Sequence, residues 1–211
     1  MSALASPACV SGCFGNERTS FPEGLEPLEE NVAELPAPTD EDPTPEAISV
    51  ASGSNDDHIW VHARAYVDAP LERSWEALRN PDAVADRRKV AEYSVVWDVE
   101  PEYPFSFRIH NVVDDIITVE FDVTWRQGLA AGTVEDPGAV AIRYAKTWGT
   151  TFITRLEGSI VATPVDDETT LLDMIELLDA AGGGAEAVAS YLTDLHASVV
   201  AVAHDRPLPE Y

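Results

Sequence analysis

Two side chains in this sequence could do chemistry in a shielded place: Tyr144 and Glu176. Each lies in a stretch where apolar and polar residues alternate, the period of a β-strand. On one register Glu176 shares a face with Leu172, Met174 and Leu178. A carboxyl there would be held from water. Burial would raise its pKa and make it an acid, a base or an anchor for a polar ligand group. The opposite face carries Leu171, Asp173, Ile175, Leu177 and Asp179, so both faces are apolar and the pattern does not fix the register. The expense of burying a lone carboxylate favours a solvent-facing Glu176. Tyr144 offers a hydroxyl inside a pocket, or sits in a core with its tip in water.

Nothing else converges. His58, His62, His110, His196 and His204 are dispersed, with His196 and His204 off the apolar stripe of the last helix, and surface positions are expected for them. There is no Gly-x-Ser-x-Gly elbow and no cysteine placed as a nucleophile. Gly182, Gly183 and Gly184 precede a helix, but their neighbours Ala180, Ala181 and Glu186 suit a hinge better than an anion site. The only cysteines are Cys9 and Cys13, too few for a four-ligand zinc site. No catalytic set, metal or cofactor is expected, and disulfides do not hold the folded region together.

The net charge of -25, from 13 Lys+Arg against 38 Asp+Glu, repels phosphate backbones and anionic headgroups. Nucleic acid is therefore excluded as a partner. No run approaches the ~20 apolar residues of a membrane-spanning helix. Residues 14–57 are rich in Pro, Glu, Asp, Ser and Gly, with Arg18 the only basic residue. That composition predicts a disordered acidic linker, with docking of Phe14, Phe21, Leu25 and Leu28 on the domain as the alternative. Within residues 1–13, Val10-Ser11-Gly12-Cys13 resembles a bacterial lipobox, although no basic n-region precedes it. The expectation is a remnant of a lipoprotein signal with Cys13 as lipid anchor at a cell envelope, and otherwise a cytoplasmic protein.

From residue 58 the texture is that of a folded domain, 58–211. Residues 58–68 alternate as a strand, and Pro70 opens a helix with Leu71, Trp75 and Leu78 on one face. Five or six strands follow, joined by short connections that argue for an antiparallel meander. In the clearest, Ile117, Val119, Phe121, Val123 and Trp125 face one way. Tyr93, Val95, Trp97 and Val99, and then Phe105, Phe107 and Ile109, continue the same apolar wall. Val188, Leu192, Leu195, Val199 and Val202 form the stripe of a long last helix.

The text of residues 66–82, Tyr-Val-Asp-Ala-Pro-Leu-Glu-Arg-Ser-Trp-Glu-Ala-Leu-Arg-Asn-Pro-Asp, resembles the opening strand-to-helix pattern of the START-like (SRPBCC) superfamily, which includes polyketide cyclases and Bet v 1-like proteins. Residues 165–170 resemble its penultimate hairpin. The resemblance covers roughly residues 58–205. It implies an α+β helix-grip fold: a curved antiparallel sheet of about six or seven strands around a long C-terminal helix, with a cavity between them. Members bind lipids, sterols, quinones, polyketides or plant hormones, and some catalyse cyclisation, so the fold leaves the function open.

The expected function is binding or carriage of a hydrophobic small molecule, with pocket residues Trp97, Phe107, Phe121, Trp125, Tyr144, Leu192, Leu195 and Val199. An aromatase/cyclase-type enzyme is the alternative, needing inward polar groups beyond Tyr144 and Glu176. A module with a filled core that binds a protein partner is the third reading. The oligomeric state is open.

Overall fold

The computed structural model describes residues 16–55, 58–114 and 118–211. Nine strands form one antiparallel sheet: β1 (Asn16–Arg18), β2 (Ile48–Ser54), β3 (Ile59–Val67), β4 (Glu92–Trp97), β5 (Phe105–Asp114), β6 (Thr118–Gly132), β7 (Pro137–Thr150), β8 (Ile153–Pro164) and β9 (Thr170–Ala180). The order across the sheet is β2-β3-β9-β8-β7-β6-β5-β4, and β1 pairs with the end of β7. Helices α1 (Leu71–Leu78) and α2 (Pro81–Val84) lie between β3 and β4, and α3 (Ala185–Ala203) closes the chain.

Alternation along the strands explains the packing. Phe107, Ile109, Phe121, Val123, Trp125, Ile142 and Tyr144 all turn inward and are buried with Leu192, Leu195 and Val199 of α3. Pro70 and the absence of helix breakers over Leu71–Leu78 give α1, which buries Leu71, Trp75 and Leu78. The Trp75 indole N–H donates to Gln127 Oε1 at 2.9 Å, and Gln127 Nε2 donates to the Leu78 carbonyl at 2.9 Å. Helix α1 is thereby sealed onto one end of the sheet.

The sheet is larger than the six or seven strands expected, because the segment read as a disordered linker adds two. Residues 16–55 form a belt. Its ends are β1 and β2, and its middle crosses the outer face of the sheet. The backbone of the belt finds partners on side chains that the strands point outward. Arg126 donates to the carbonyls of Phe21 and Pro22, Arg143 to that of Glu26, and Arg64 to those of Asn31 and Ala33. Ser159 Oγ accepts from Leu28 N at 3.1 Å, and His62 Nδ1 from Val32 N at 2.9 Å. Phe21 and Leu25 do dock, against Arg126 and at Gly128, as the alternative reading held, and Phe14 falls outside the described residues. Composition underrates the attachment because most of it is made by backbone polar groups satisfied from a distant part of the chain.

Arg126 is the strongest pin. It is 4% exposed, stacks over the Phe21 ring at 3.5 Å and pairs with the Glu100 carboxylate. Arg126→Ala leaves two belt carbonyls and Glu100 without their donor. It should lower stability by about 3 kcal/mol in denaturant unfolding, and open residues 16–30 to protease. Unchanged stability with an equally protected belt would show that other contacts hold it.

Candidate ligand-binding cavity

Between the sheet and the first half of α3 lies a cavity of about 620 Å³. That is within the range for drug-sized or lipid-like ligands. Its walls are mostly apolar: Ile109 and Val113 of β5, Val119, Phe121 and Val123 of β6, Leu156 of β8, Leu178 of β9, and Val188 of α3. Val84 at the end of α2, and Val90 and Phe152 from connecting segments, close the sides.

The floor is one row of residues that crosses five strands in register. Phe107 pairs with Trp125, Trp125 with Tyr144, Tyr144 with Gly158, and Gly158 with Glu176. The rings stack: Phe107 on Trp125 at 5.8 Å and 8°, and Trp125 on Tyr144 at 4.1 Å and 18°. At β8 the row carries no side chain. A Cβ on Gly158 would stand 1.8 Å from the Tyr144 ring. The glycine lets the phenol lie across β8 and deliver its hydroxyl to Glu176 Oε2 on β9, at 2.6 Å. On one side of the row is the cavity. On the other is solid core, where Leu192, Leu195 and Val199 pack at 0%, 2% and 0% exposure.

Glu176 therefore faces inward, against the solvent-facing expectation. The register is fixed by its pairing with Val61 and Gly158. It is 4% exposed. Burial pushes its pKa from 4.5 up to about 8, against a smaller opposing effect of the Tyr144 hydrogen bond; the nearby Asp86 carboxylate adds to the rise. Burial also drives the Tyr144 and Tyr191 hydroxyls well above their ordinary value. Tyr191 donates to the Val84 carbonyl at 2.9 Å. Asp86, raised mainly by burial, and Lys89 also line the cavity.

Three of the eight residues expected from sequence, Phe121, Trp125 and Tyr144, line this cavity. Phe107 belongs to the floor row without touching the cavity, and Leu192, Leu195 and Val199 point inward beyond the floor, into the solid core. Trp97 is 54% exposed, because β4 is the sheet edge and its last residue outruns the helical cover. Its ring still meets Phe107 at 5.3 Å. His196 is buried rather than on the surface, and its Nε2 lies 2.9 Å from the Tyr66 carbonyl. Cys13 falls outside the described residues. Ile109, read on the apolar wall, and Leu178, read on the face of Glu176, line the cavity as well, though neither was named as a pocket residue. Asn111 and Tyr191 were missed, along with the loop residues Asp86 and Lys89; of these only Tyr191, one residue before the Leu192 of the stripe, carried a signal.

No family model matches the chain, and no curated protein matches it. Solved structures do. The human StarD13 (DLC2) lipid transfer and protein localization domain superposes with a TM-score of 0.52 at 14% identity, over 83% of this chain and 89% of that one. Human StAR-related lipid transfer protein 5 gives 0.50 at 11%, over 84% and 87%. A START superfamily protein from Mycobacterium smegmatis gives 0.50 at 12%, over 70% and 98%. The chain thus has the START-like helix-grip fold, as residues 66–82 suggested.

Glu176 makes stability depend on pH. Below about pH 4.5 the carboxyl keeps its proton in both folded and unfolded chains and is neutral in each. Between about 4.5 and about 8 the unfolded chain releases a proton that the folded chain retains, so stability falls as pH rises; above about 8 the loss is complete. Glu176→Gln keeps the acceptor for Tyr144 and removes the titration. The variant should gain on the wild type by a few kcal/mol, at up to ~1.4 kcal/mol per pH unit, between about pH 4.5 and about 8. Parallel melting curves across that range would refute the assignment.

Proposed function

We propose that this protein binds and carries a hydrophobic small molecule in the cavity between its sheet and α3. The observation that carries the reading is the cavity itself, about 620 Å³ and walled mainly by aliphatic and aromatic side chains. Each Å² of apolar ligand surface moved there from water contributes ~25 cal/mol. StarD13 and StAR-related lipid transfer protein 5 are named for lipid transfer, which agrees with a lipid, quinone or polyketide-like ligand. A filled-core module for a protein partner fits less well, because the interior holds space. The aromatase/cyclase reading gains the Tyr144–Glu176 pair but no arginine or histidine among the described lining residues.

The test is organic extraction of the purified full chain followed by mass spectrometry. A stoichiometric apolar compound is expected. Phe121→Arg puts a cation into the apolar wall and should abolish its retention while the fold, followed by circular dichroism, persists. Retention undiminished in this variant would sink the assignment of the cavity.

The lipid anchor at Cys13 rests on the Val10–Cys13 pattern alone. The long flexible tether that supported it is absent, because residues 16–55 are docked on the sheet. Intact-mass measurement of protein from the membrane fraction checks the anchor: a diacylglyceryl addition at Cys13 is the expected result, and an unmodified cysteine in the mature chain ends the idea.

A further inference from the structure

The polar groups of the cavity are sorted by depth. Lys89 lines it and is exposed, so the amine stands at the rim. Glu176, Tyr144 and Tyr191 lie inside, next to the floor. Hydrogen-bond bookkeeping among these three leaves one unfilled position. Tyr191 spends its proton on the Val84 carbonyl, and Tyr144 spends its own on Glu176 Oε2. The second carboxyl oxygen, Oε1, has no protein partner among the described residues. With Oε2 occupied as an acceptor, a neutral Glu176 carries its proton on Oε1. The floor then presents the Glu176 O–H to an apolar chamber, with the indole N–H of Trp125, on the same row, as the other buried donor without a partner among the described lining residues.

We propose that Glu176, braced by Tyr144, is the anchor for the polar end of the ligand, and that this end is an uncharged carbonyl oxygen. The inference rests on the ligand-binding reading above and narrows it. A carbonyl accepts the Glu176 proton, and its second lone pair is free for the Trp125 N–H. A carboxylate or phosphate is excluded from the floor, because no cation waits there. Its neighbours would be a carboxyl and, from the segment after α2, Asp86, in a medium of low dielectric where like charges repel strongly.

The groups that face Glu176 from each packed element are Tyr144 from β7, Tyr191 from α3 and Asp86 from the segment after α2. Its strand neighbours, Val61 on β3 and Gly158 on β8, do not titrate. No cation among them holds the carboxylate form. When Glu176 ionises, the donor is replaced by an anion that repels a carbonyl oxygen.

Three probes of matched chain length separate the alternatives: a long-chain methyl ketone, the corresponding alkane and the corresponding fatty acid. Displacement of Nile red from the full chain, or quenching of its tryptophan fluorescence, to which Trp125 contributes, reads binding. At neutral pH the wild type should hold the ketone about tenfold more tightly than the alkane, with the fatty-acid anion weakest. The ketone's advantage should disappear above about pH 9 as the carboxyl ionises. Glu176→Leu should erase that advantage while the alkane still binds. Glu176→Gln, whose amide N–H still donates, should keep it and make it independent of pH. An unchanged ketone-to-alkane ratio in Glu176→Leu, or preference for the fatty acid, overturns the anchor while leaving the apolar carrier standing. If the wild type takes up none of the probes, the ligand-binding reading fails and the anchor with it.

Discussion

The Tyr144 ring occupies the space that any side chain on Gly158 would need, and from there its hydroxyl spans two strands to reach Glu176. A phenol lying along the sheet, rather than standing up from it, has two effects. It continues the stack of Phe107 and Trp125 into a flat shelf, so α3 can approach closely on one side and stand clear on the other. It also gives a buried carboxyl a hydrogen bond it would otherwise lack, which lets Glu176 exist on a central strand at all. Were residue 158 anything larger, the ring would have to stand up into the chamber, and shelf and carboxyl would separate.

The rest of the architecture works around that shelf. Helix α1 and the Trp75–Gln127–Leu78 chain of hydrogen bonds close the solid end. The other end is left to α2, to short connecting segments and to the first half of α3, which bring Val84, Phe152 and Val188 over the space without filling it. A sheet of this size has a second face, and the belt covers part of it. His62 is 3% exposed on that outer side, beneath Glu29 and Val32.

Most strands, the first helix and the last helix were legible, because alternation and the i, i+4, i+7 stripe survive wherever one face is wet. Strand β9 was not. Its two faces look alike because both are covered: Met174 and Glu176 lie under α3 and over the cavity, while Ile175 and Leu177 are buried on the outer side, where Asn31 of the belt donates to the Met174 carbonyl. The same belt thus caused both misreadings, hiding as a linker in one part of the sequence and blurring the register of Glu176 in another. The pocket residues divide for a related reason. Periodicity says which way Leu192, Leu195 and Val199 point, and does not say how far along the helix the empty space extends. That depends on the row at Gly158, whose meaning appears only when three strands are set side by side.

The belt also bears on the order in which the molecule can be assembled. Its anchoring partners lie far along the chain, separated from it by 104 residues at Pro22–Arg126, 131 at Leu28–Ser159 and 143 at Asn31–Met174. During synthesis these first residues leave the ribosome long before the strands that hold them exist. Contacts of such span form late, because closing long loops is entropically expensive. In that interval the segment has to avoid collapsing on itself or pairing with unfinished strand edges. Proline, dense negative charge and scarce large apolar side chains provide this. The composition of a disordered linker is thus, in this protein, the composition of a part that stays unfolded until the sheet is ready to receive it.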